Sequence, residues 1–288
     1  VTFIYGTYFT SSIAPNEIEG TKWWSWAISI SAVFIAILSP ILGALADSFG
    51  FRKKIMIFST LLSVLATALL FFPVQGQVLM ALTLFVIANI CFELGTVFCN
   101  AYLPEIASPA KTGKVSGYAW GLGYFGGLIA LVLCLFLFVQ TENPLFGFDA
   151  NNGENIRATN LLVALWFLIF SLPLFFVVKE KKSESGSLKS VVATVFGSLK
   201  NTISEIKKYQ TVKQFLVARL VYNDALITVF AFGGIYAAST IGFTFNEIMM
   251  LGVVLNLLAG VGAVTFGLID DKVGSEKVIK WSVLFLMI

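Results

Sequence analysis

The chain has 288 residues, of which 58% are apolar and only 12% charged, with a net charge of +3 and no histidine. Soluble proteins carry roughly 25% charged residues, so the composition excludes a soluble globular protein, and its hydrophobicity excludes a disordered one. Without histidine, a His-ligated metal, a Ser-His-Asp triad and a His proton relay are all ruled out. Cys91, Cys99 and Cys134 lie in apolar stretches and read as membrane-buried thiols rather than as a disulfide framework.

A membrane-crossing helix needs about 20 mostly apolar residues. Taken in chain order, such spans fall at about 24–46, 55–72, 78–103, 115–139, 159–178, 214–238, 246–269 and from 278 to the end, separated by Pro, Gly or charge. Val1 to Ile13 read as the last turns of one further helix, and the final stretch is too short to cross, so the chain reads as a piece of a longer protein. Lys22 and Arg157 are the only basic residues in the loops assigned outside, and Arg219 lies within a span. The other sixteen of nineteen fall at 52–54, 111–114, 179–213 and 272–280, on one side of the membrane once the spans alternate. By the positive-inside rule that side is the cytoplasm. Trp23, Trp24 and Trp26 cluster at the outer end of their span, as an interfacial aromatic belt would.

Three parts follow: an N-terminal helical bundle at 1–178, a cytoplasmic linker at 179–213, and the start of a C-terminal bundle at 214–288. In the linker, Leu188, Val191, Val192, Val195, Leu199, Ile203 and Ile206 recur at helical spacing with lysines between them. Such a helix lies flat on the cytoplasmic membrane surface, either as a tether between bundles or as a regulatory segment.

The chain contains an internal repeat. Gly43-Ala-Leu-Ala-Asp47-Ser-Phe-Gly50-Phe-Arg52-Lys53-Lys54 and Gly267-Leu-Ile-Asp270-Asp271-Lys-Val-Gly274-Ser-Glu-Lys277 align at an offset of 224 residues. Gly43 then meets Gly267, Asp47 meets Asp271, Gly50 meets Gly274 and Lys53 meets Lys277. In such a loop Gly43 lets two helices approach and Gly50 permits a tight turn. Asp47 can accept hydrogen bonds from a neighbouring helix N-terminus, and Arg52 and Lys53 can pair with carboxylates. The pattern at 43–54 resembles the signature loop of the major facilitator superfamily, whose two six-helix bundles rock around a midplane site.

That resemblance implies an all-α membrane protein of the major facilitator fold, seen from late helix 1 into helix 9. It implies a cytoplasmic gate formed by Gly43, Asp47, Gly50, Arg52 and Lys53, with Asp271 and Gly274 as a weaker second copy that departs from the pattern at Ser275 and Glu276. The segments around Tyr102-Leu-Pro-Glu105, Val115 to Gly127 and Ala218 to Ala225 are similar to the vacuole-effluxer-like branch, whose fungal members export amino acids from the vacuole. Ala225 follows Asp224 where that branch commonly has Gly, and the compact loops suit a bacterial member.

Ionisable groups inside spans are costly, and Glu93, Arg219 and Asp224 qualify. Asn89, Glu93, Thr96 and Asn100 fall within about 60° of one another, a polar stripe that reads as part of a substrate or proton pathway. Glu93 is a proton carrier or a hydrogen-bonded packing residue. Arg219, Tyr222 and Asn223 share one face of the next such helix, with Asp224 as a cavity residue and Asn256 a weaker candidate of that kind. Arg219 reads equally as a side chain reaching back to the cytoplasm. Gly113, Gly117 and Gly121, then Gly123, Gly126 and Gly127, form a helix-packing surface, sliding or static.

The resulting expectation is a secondary transporter for a small solute, with proton coupling carried by Glu93, amino acids as the first solute class and no cofactor. Neither a phosphate-binding loop nor a hydrolase or metalloprotease motif occurs, which disfavours a membrane-embedded enzyme. A sensor or scaffold with the same fold is the alternative. The expected partners are the solute, the lipid bilayer and protons, without nucleic acid. The protein is expected as a monomer in a bacterial inner membrane with the central loop cytoplasmic.

Overall fold

A computed structural model describes residues 2–141, 144–179 and 208–286, together with isolated positions at 197, 201 and 204–206. The amphipathic face predicted for the linker lies almost wholly outside these described residues. Within them the chain is all-helical, with no strand. Six helices are long and apolar enough to cross a membrane: Glu17–Ala46, Val78–Ile106, Pro109–Val139, Glu154–Val177, Gln210–Ile241 and Phe245–Val273. The chain is a multi-pass membrane protein.

The elements are α1 (Thr2–Tyr8), α2 (Glu17–Phe49), α3 (Arg52–Leu69), α4 (Val78–Asn100), α5 (Leu103–Ile106) and α6 (Thr112–Cys134). They are followed by α7 (Glu154–Val177), α8 (Gln210–Tyr236), α9 (Phe245–Val273) and α10 (Ser275–Leu286). Their ends follow local chemistry. Asn16 caps α2 by accepting from Glu19 N at 2.9 Å, with Glu17 and Glu19 in the positive first turn. α9 opens with a reciprocal capping box, Thr244 N donating to Glu247 Oε2 at 2.7 Å and Glu247 N to Thr244 Oγ1 at 3.4 Å. α3 spans only 18 residues and begins Arg52-Lys53-Lys54, so three cationic groups crowd one end of a helix barely long enough to cross.

Two compact units account for the described residues. The first joins Val1–Cys99 to Val163–Ile235, and the second joins Asn100–Leu162 to Tyr236–Ile288. Each therefore draws helices from both sides of the central linker.

In the first unit the core is aromatic where α1 meets α2. Trp24 is fully buried, its ring 4.1 Å from that of Phe85 and 5.6 Å from that of Phe9. The reading of Trp23, Trp24 and Trp26 as one interfacial belt is corrected here. Successive helical positions point different ways, so Trp26 faces outward at 62% exposure while Trp24 turns into the core. Farther along, α3 packs on α4 through small hydroxyl residues. Ser59, Thr60, Ser63 and Thr67 are buried, and Ser63 Oγ donates to the Ala88 carbonyl at 3.0 Å. Small polar residues at such contacts allow close approach and cross-helix hydrogen bonding. α8, by contrast, buries only Ala231, Gly234 and Ile235, leaving Phe215, Leu220 and Phe230 turned outward as a lipid-facing helix would.

In the second unit the dominant contact is α6 against α9. At the other end of α6, the carbonyl of Phe138 accepts from Asn155 Nδ2 at 3.0 Å, tying that end to α7. Arg157 is buried in α7, with Nη1 donating to the Asn152 carbonyl at 3.0 Å, rather than standing free in a loop.

Candidate functional site: a carboxylate clasp and an adjoining cleft

A helix leaves its first four backbone N–H groups without intrahelical acceptors. At the start of α6 the capping residue is Lys111, whose side chain makes no cap, because an ammonium has nothing to accept with. The missing acceptor comes from α9. Asp271 Oδ1 accepts from Gly113 N and Asp271 Oδ2 from Lys114 N, both at 2.9 Å. One carboxylate thus satisfies two orphan donors at the positive end of a helix dipole, a charge-assisted arrangement roughly twice as strong as neutral hydrogen bonds.

The helices can come this close because their facing positions lack side chains. A methyl group at Gly267 would lie 2.7 Å from Gly117 Cα, and one at Gly117 would lie 2.7 Å from the Ala263 carbonyl oxygen. At Gly121 a methyl would strike the Val264 side chain. Gly127 faces Asn256, whose Oδ1 would be 3.2 Å from an added methyl. Contacts under 3 Å admit no Cβ, so backbone meets backbone along about two turns of α6.

Beside the clasp a cleft of about 440 Å³ opens along the same two helices, lined by Leu103, Ser116, Trp120, Tyr124, Phe266 and Asp270 among others. From Thr112 to Tyr124 it follows about 18 Å of α6. Asp270 supplies the only formal charge among its lining residues.

The remaining sequence-derived candidates are placed as follows. Gly50 ends α2 in the left-handed region at φ 70°, and Gly274, its repeat partner, ends α9 at φ 88°. Among the described residues nothing lies within 4 Å of a methyl added at Gly43, so no close helix approach is made to it within them, and Gly123 is equally open. The side chain of Asp47 lies outside the described residues. Arg52 and Lys53 sit half-buried in the first turn of α3, and Lys54 lies over the Phe51 ring at 4.6 Å.

On α4, Asn89 and Glu93 are half-buried and Asn100 is exposed. The packed face of that helix is Ala81, Phe85, Ala88, Cys91, Leu94, Gly95 and Phe98. The polar stripe is centred roughly 140° around the helix from it. Among the described residues Glu93 has neither a hydrogen-bond nor an ion-pair partner, so the reading of it as a hydrogen-bonded packing residue is not met within them. On α8, Tyr222 is half-buried, while Arg219, Asn223 and Asp224 are exposed. No hydrogen bond or ion pair joins this cluster to the α4 stripe among the described residues. Asn256 donates Nδ2 to the Gly252 carbonyl one turn earlier at 2.8 Å, which leaves its oxygen toward Gly127.

The sequence reading passed over Gly260, Gly267 as a packing residue, Asp270, and the pair Trp120–Tyr124, whose ring centroids are 6.2 Å apart. A signal for Asp270 was present: the repeat pairs it with Ala46, so the second copy carries a carboxylate that the first lacks.

The family described as "Vacuole effluxer Atg22 like" matches residues 11–288. An uncharacterized MFS-type transporter of Bacillus subtilis, YxiO, is 23% identical over all of this chain and 67% of its own length. Autophagy-related protein 22 of Kluyveromyces lactis is 20% identical over 86% of this chain and 53% of its own length. An uncharacterized protein of Aquifex aeolicus is 26% identical over 99% of this chain and 68% of its own length. The chain thus spans between about half and two thirds of the relatives it matches. No solved structure matches it.

Proposed function

This chain belongs to the Atg22-like vacuole effluxer family, and from that premise we propose that it forms part of a secondary transporter moving a small solute by alternating access. Amino acids are the proposed solute class, after the resemblance of the segments around Glu105, Gly117 and Asp224, and protons are the proposed coupling ion. The proposal places the protein as a monomer in a bacterial inner membrane, with 179–213 as a cytoplasmic linker between bundles 1–178 and 214–288.

The observation that carries this reading is the Asp271 clasp on the N-terminus of α6. A gate has to be held shut yet open thermally, which calls for an energy difference of a few kcal/mol between its states. Two charge-assisted hydrogen bonds at an exposed carboxylate are of that order, since substituting a capping Asp costs about 0.5–2 kcal/mol. The glycine contacts beneath the clasp supply smooth helix surfaces on which α6 and α9 can move apart without unlocking interdigitated side chains. Release of the clasp would open this end of the α6–α9 pair. The second copy of the loop, despite Ser275 and Glu276, is therefore a working latch in this proposal.

Glu93 is the proposed proton carrier. It lies on an otherwise apolar helix, away from the packed face and without a protein partner among the described residues. A carboxyl in such a place is expensive unless it exchanges protons with a water-filled route. Asn89, Asn100, Tyr222, Asn223 and Asp224 are proposed to line that route. The test is amino-acid counterflow into proteoliposomes holding the full-length protein, with and without an imposed pH gradient. Accumulation stimulated by the gradient, with the stimulation lost in Glu93→Gln, is the expected result. Absence of flux for every amino acid, with folded protein verified, would refute the solute class. It would favour the non-transporting sensor instead.

A further inference from the structure

From the cleft beside the clasp we infer a binding site for an organic cation: an ammonium group seated at Asp270, with an apolar body lying along Trp120, Tyr124 and Phe266. The inference does not rest on transport, because it concerns binding alone.

Two adjacent carboxylates are treated differently by the fold. Asp271 is used up by the backbone of α6. The carboxylate of Asp270 has no hydrogen-bond or ion-pair partner among the described residues, although the residue is half-buried and lies against α6. A methyl group at Gly113 would be 2.6 Å from Asp270 Oδ2, so the glycine leaves the room this carboxylate occupies. The internal repeat sharpens the point, since Ala46 occupies the matching place in the first loop. The Asp270 carbonyl accepts from Gly274 N at 2.9 Å in the turn, but the Asp270 side chain is no part of the turn-and-latch device.

The N-terminus of α6 offsets part of the cost of a second negative charge next to Asp271, and a bound cation would offset the rest. Two nearby lysines are engaged elsewhere, and none of the described lysines forms an ion pair with Asp270. Lys114 lies over the Tyr118 ring at 5.6 Å, Lys280 pairs with Glu276 at 2.6 Å, and no lysine lines the cleft. The remaining walls are aromatic and aliphatic, and aromatic faces attract cations while covering an apolar body. At about 440 Å³ the cleft is within the size range of small-molecule sites. The ligand is thus a monocation with an apolar portion several ångströms long. Both a free amine and the ammonium headgroup of a membrane lipid supply that chemistry.

The test is equilibrium dialysis of the full-length protein in detergent with labelled phenethylamine, and with 3-phenylpropionate as the probe of matching body and opposite charge. Saturable binding of the amine is expected, at least tenfold weaker for the acid. Asp270→Asn should weaken amine binding at least tenfold, and Trp120→Ala several-fold, in variants that keep their elution profile and helical circular dichroism. As a second measurement, phenethylamine should slow thiol labelling of Ser116→Cys. Repeating the dialysis in nanodiscs separates the two sources. Equal binding in phosphatidylglycerol and phosphatidylethanolamine discs supports a free amine as occupant. Loss of binding only in the phosphatidylethanolamine discs supports a lipid ammonium headgroup. Equal binding by the wild type and Asp270→Asn, loss in Asp224→Asn instead, or no saturable binding in any arm would overturn the inference.

Discussion

The two copies of the repeated loop begin from the same sequence device and end in different surroundings. Both close a long helix with a glycine at positive φ, Gly50 at 70° and Gly274 at 88°. Ahead of that turn they diverge. Gly267 is pressed between the backbone atoms of Gly113 and Gly117, whereas among the described residues nothing comes within 4 Å of a methyl added at Gly43. Asp271 is bonded to the start of α6, and beside it stands Asp270 where the first copy has Ala46. The turn is thus a property of the repeat, but the clasp is a property of the helix that meets it. A glycine matters as a packing residue only where another backbone occupies the space it leaves.

The largest effect should come from filling that space. Gly267→Val drives a branched side chain into the backbone of α6, and overpacking of this kind typically costs about 1–3 kcal/mol or more. Folded yield or flux should fall at least tenfold. Gly43→Val meets nothing among the described residues and slightly improves helix propensity, so its flux should stay within about twofold of wild type. Equal damage at both positions would break the comparison. Next in size, Asp271→Ala removes the clasp, with an expected loss of about 0.5–2 kcal/mol. Its signature is several-fold faster thiol labelling of a cysteine placed at Ser116, with Asp271→Asn intermediate because an amide oxygen can still accept one bond.

A smaller effect is expected within the first unit. Ser63→Ala deletes the hydrogen bond to the Ala88 carbonyl, and cross-helix bonds in membranes average about 0.6 kcal/mol. A modest lowering of the thermal unfolding midpoint, with flux intact, is the outcome to look for. The smallest concerns Glu276. Its hydrogen bond and charge pairing with Lys280 hold the carboxyl below its ordinary range. The contribution is therefore present above that range and is lost only as pH falls through the depressed value. Because the pair is fully exposed, Glu276→Gln should leave flux and stability unchanged within error at neutral pH.

Helix number, helix limits and the repeat were legible in the sequence because each leaves a one-dimensional trace: apolar length, charge at the ends, glycine at fixed offset. Gly117 and Gly121 were legible for the same reason, as small residues four apart on one helix. What the sequence left open was partnership. Nothing in the spacing of Gly43 and Gly267 says that, among the described residues, only the latter has a helix across from it. The outward turn of Trp26 and the burial of Trp24 depend on where α1 lies. The Asp270 cleft escaped notice because its carboxylate reads as part of the loop motif, and its walls come from residues some 150 positions earlier. Glu93 was identified as an unusual charge, but spacing alone does not tell which side of α4 is packed.

The clasp has a consequence for how the protein is made. The cap on α6 comes from a residue 158 positions downstream. While α6 is emerging from the ribosome its leading amides have only water or lipid headgroups to bond, and they keep them until α9 has been synthesised. Closing so long a loop carries an entropic penalty that grows only with the logarithm of its length, so the delay is one of timing more than of energy. During that interval α6 is an inserted helix with an unfinished end.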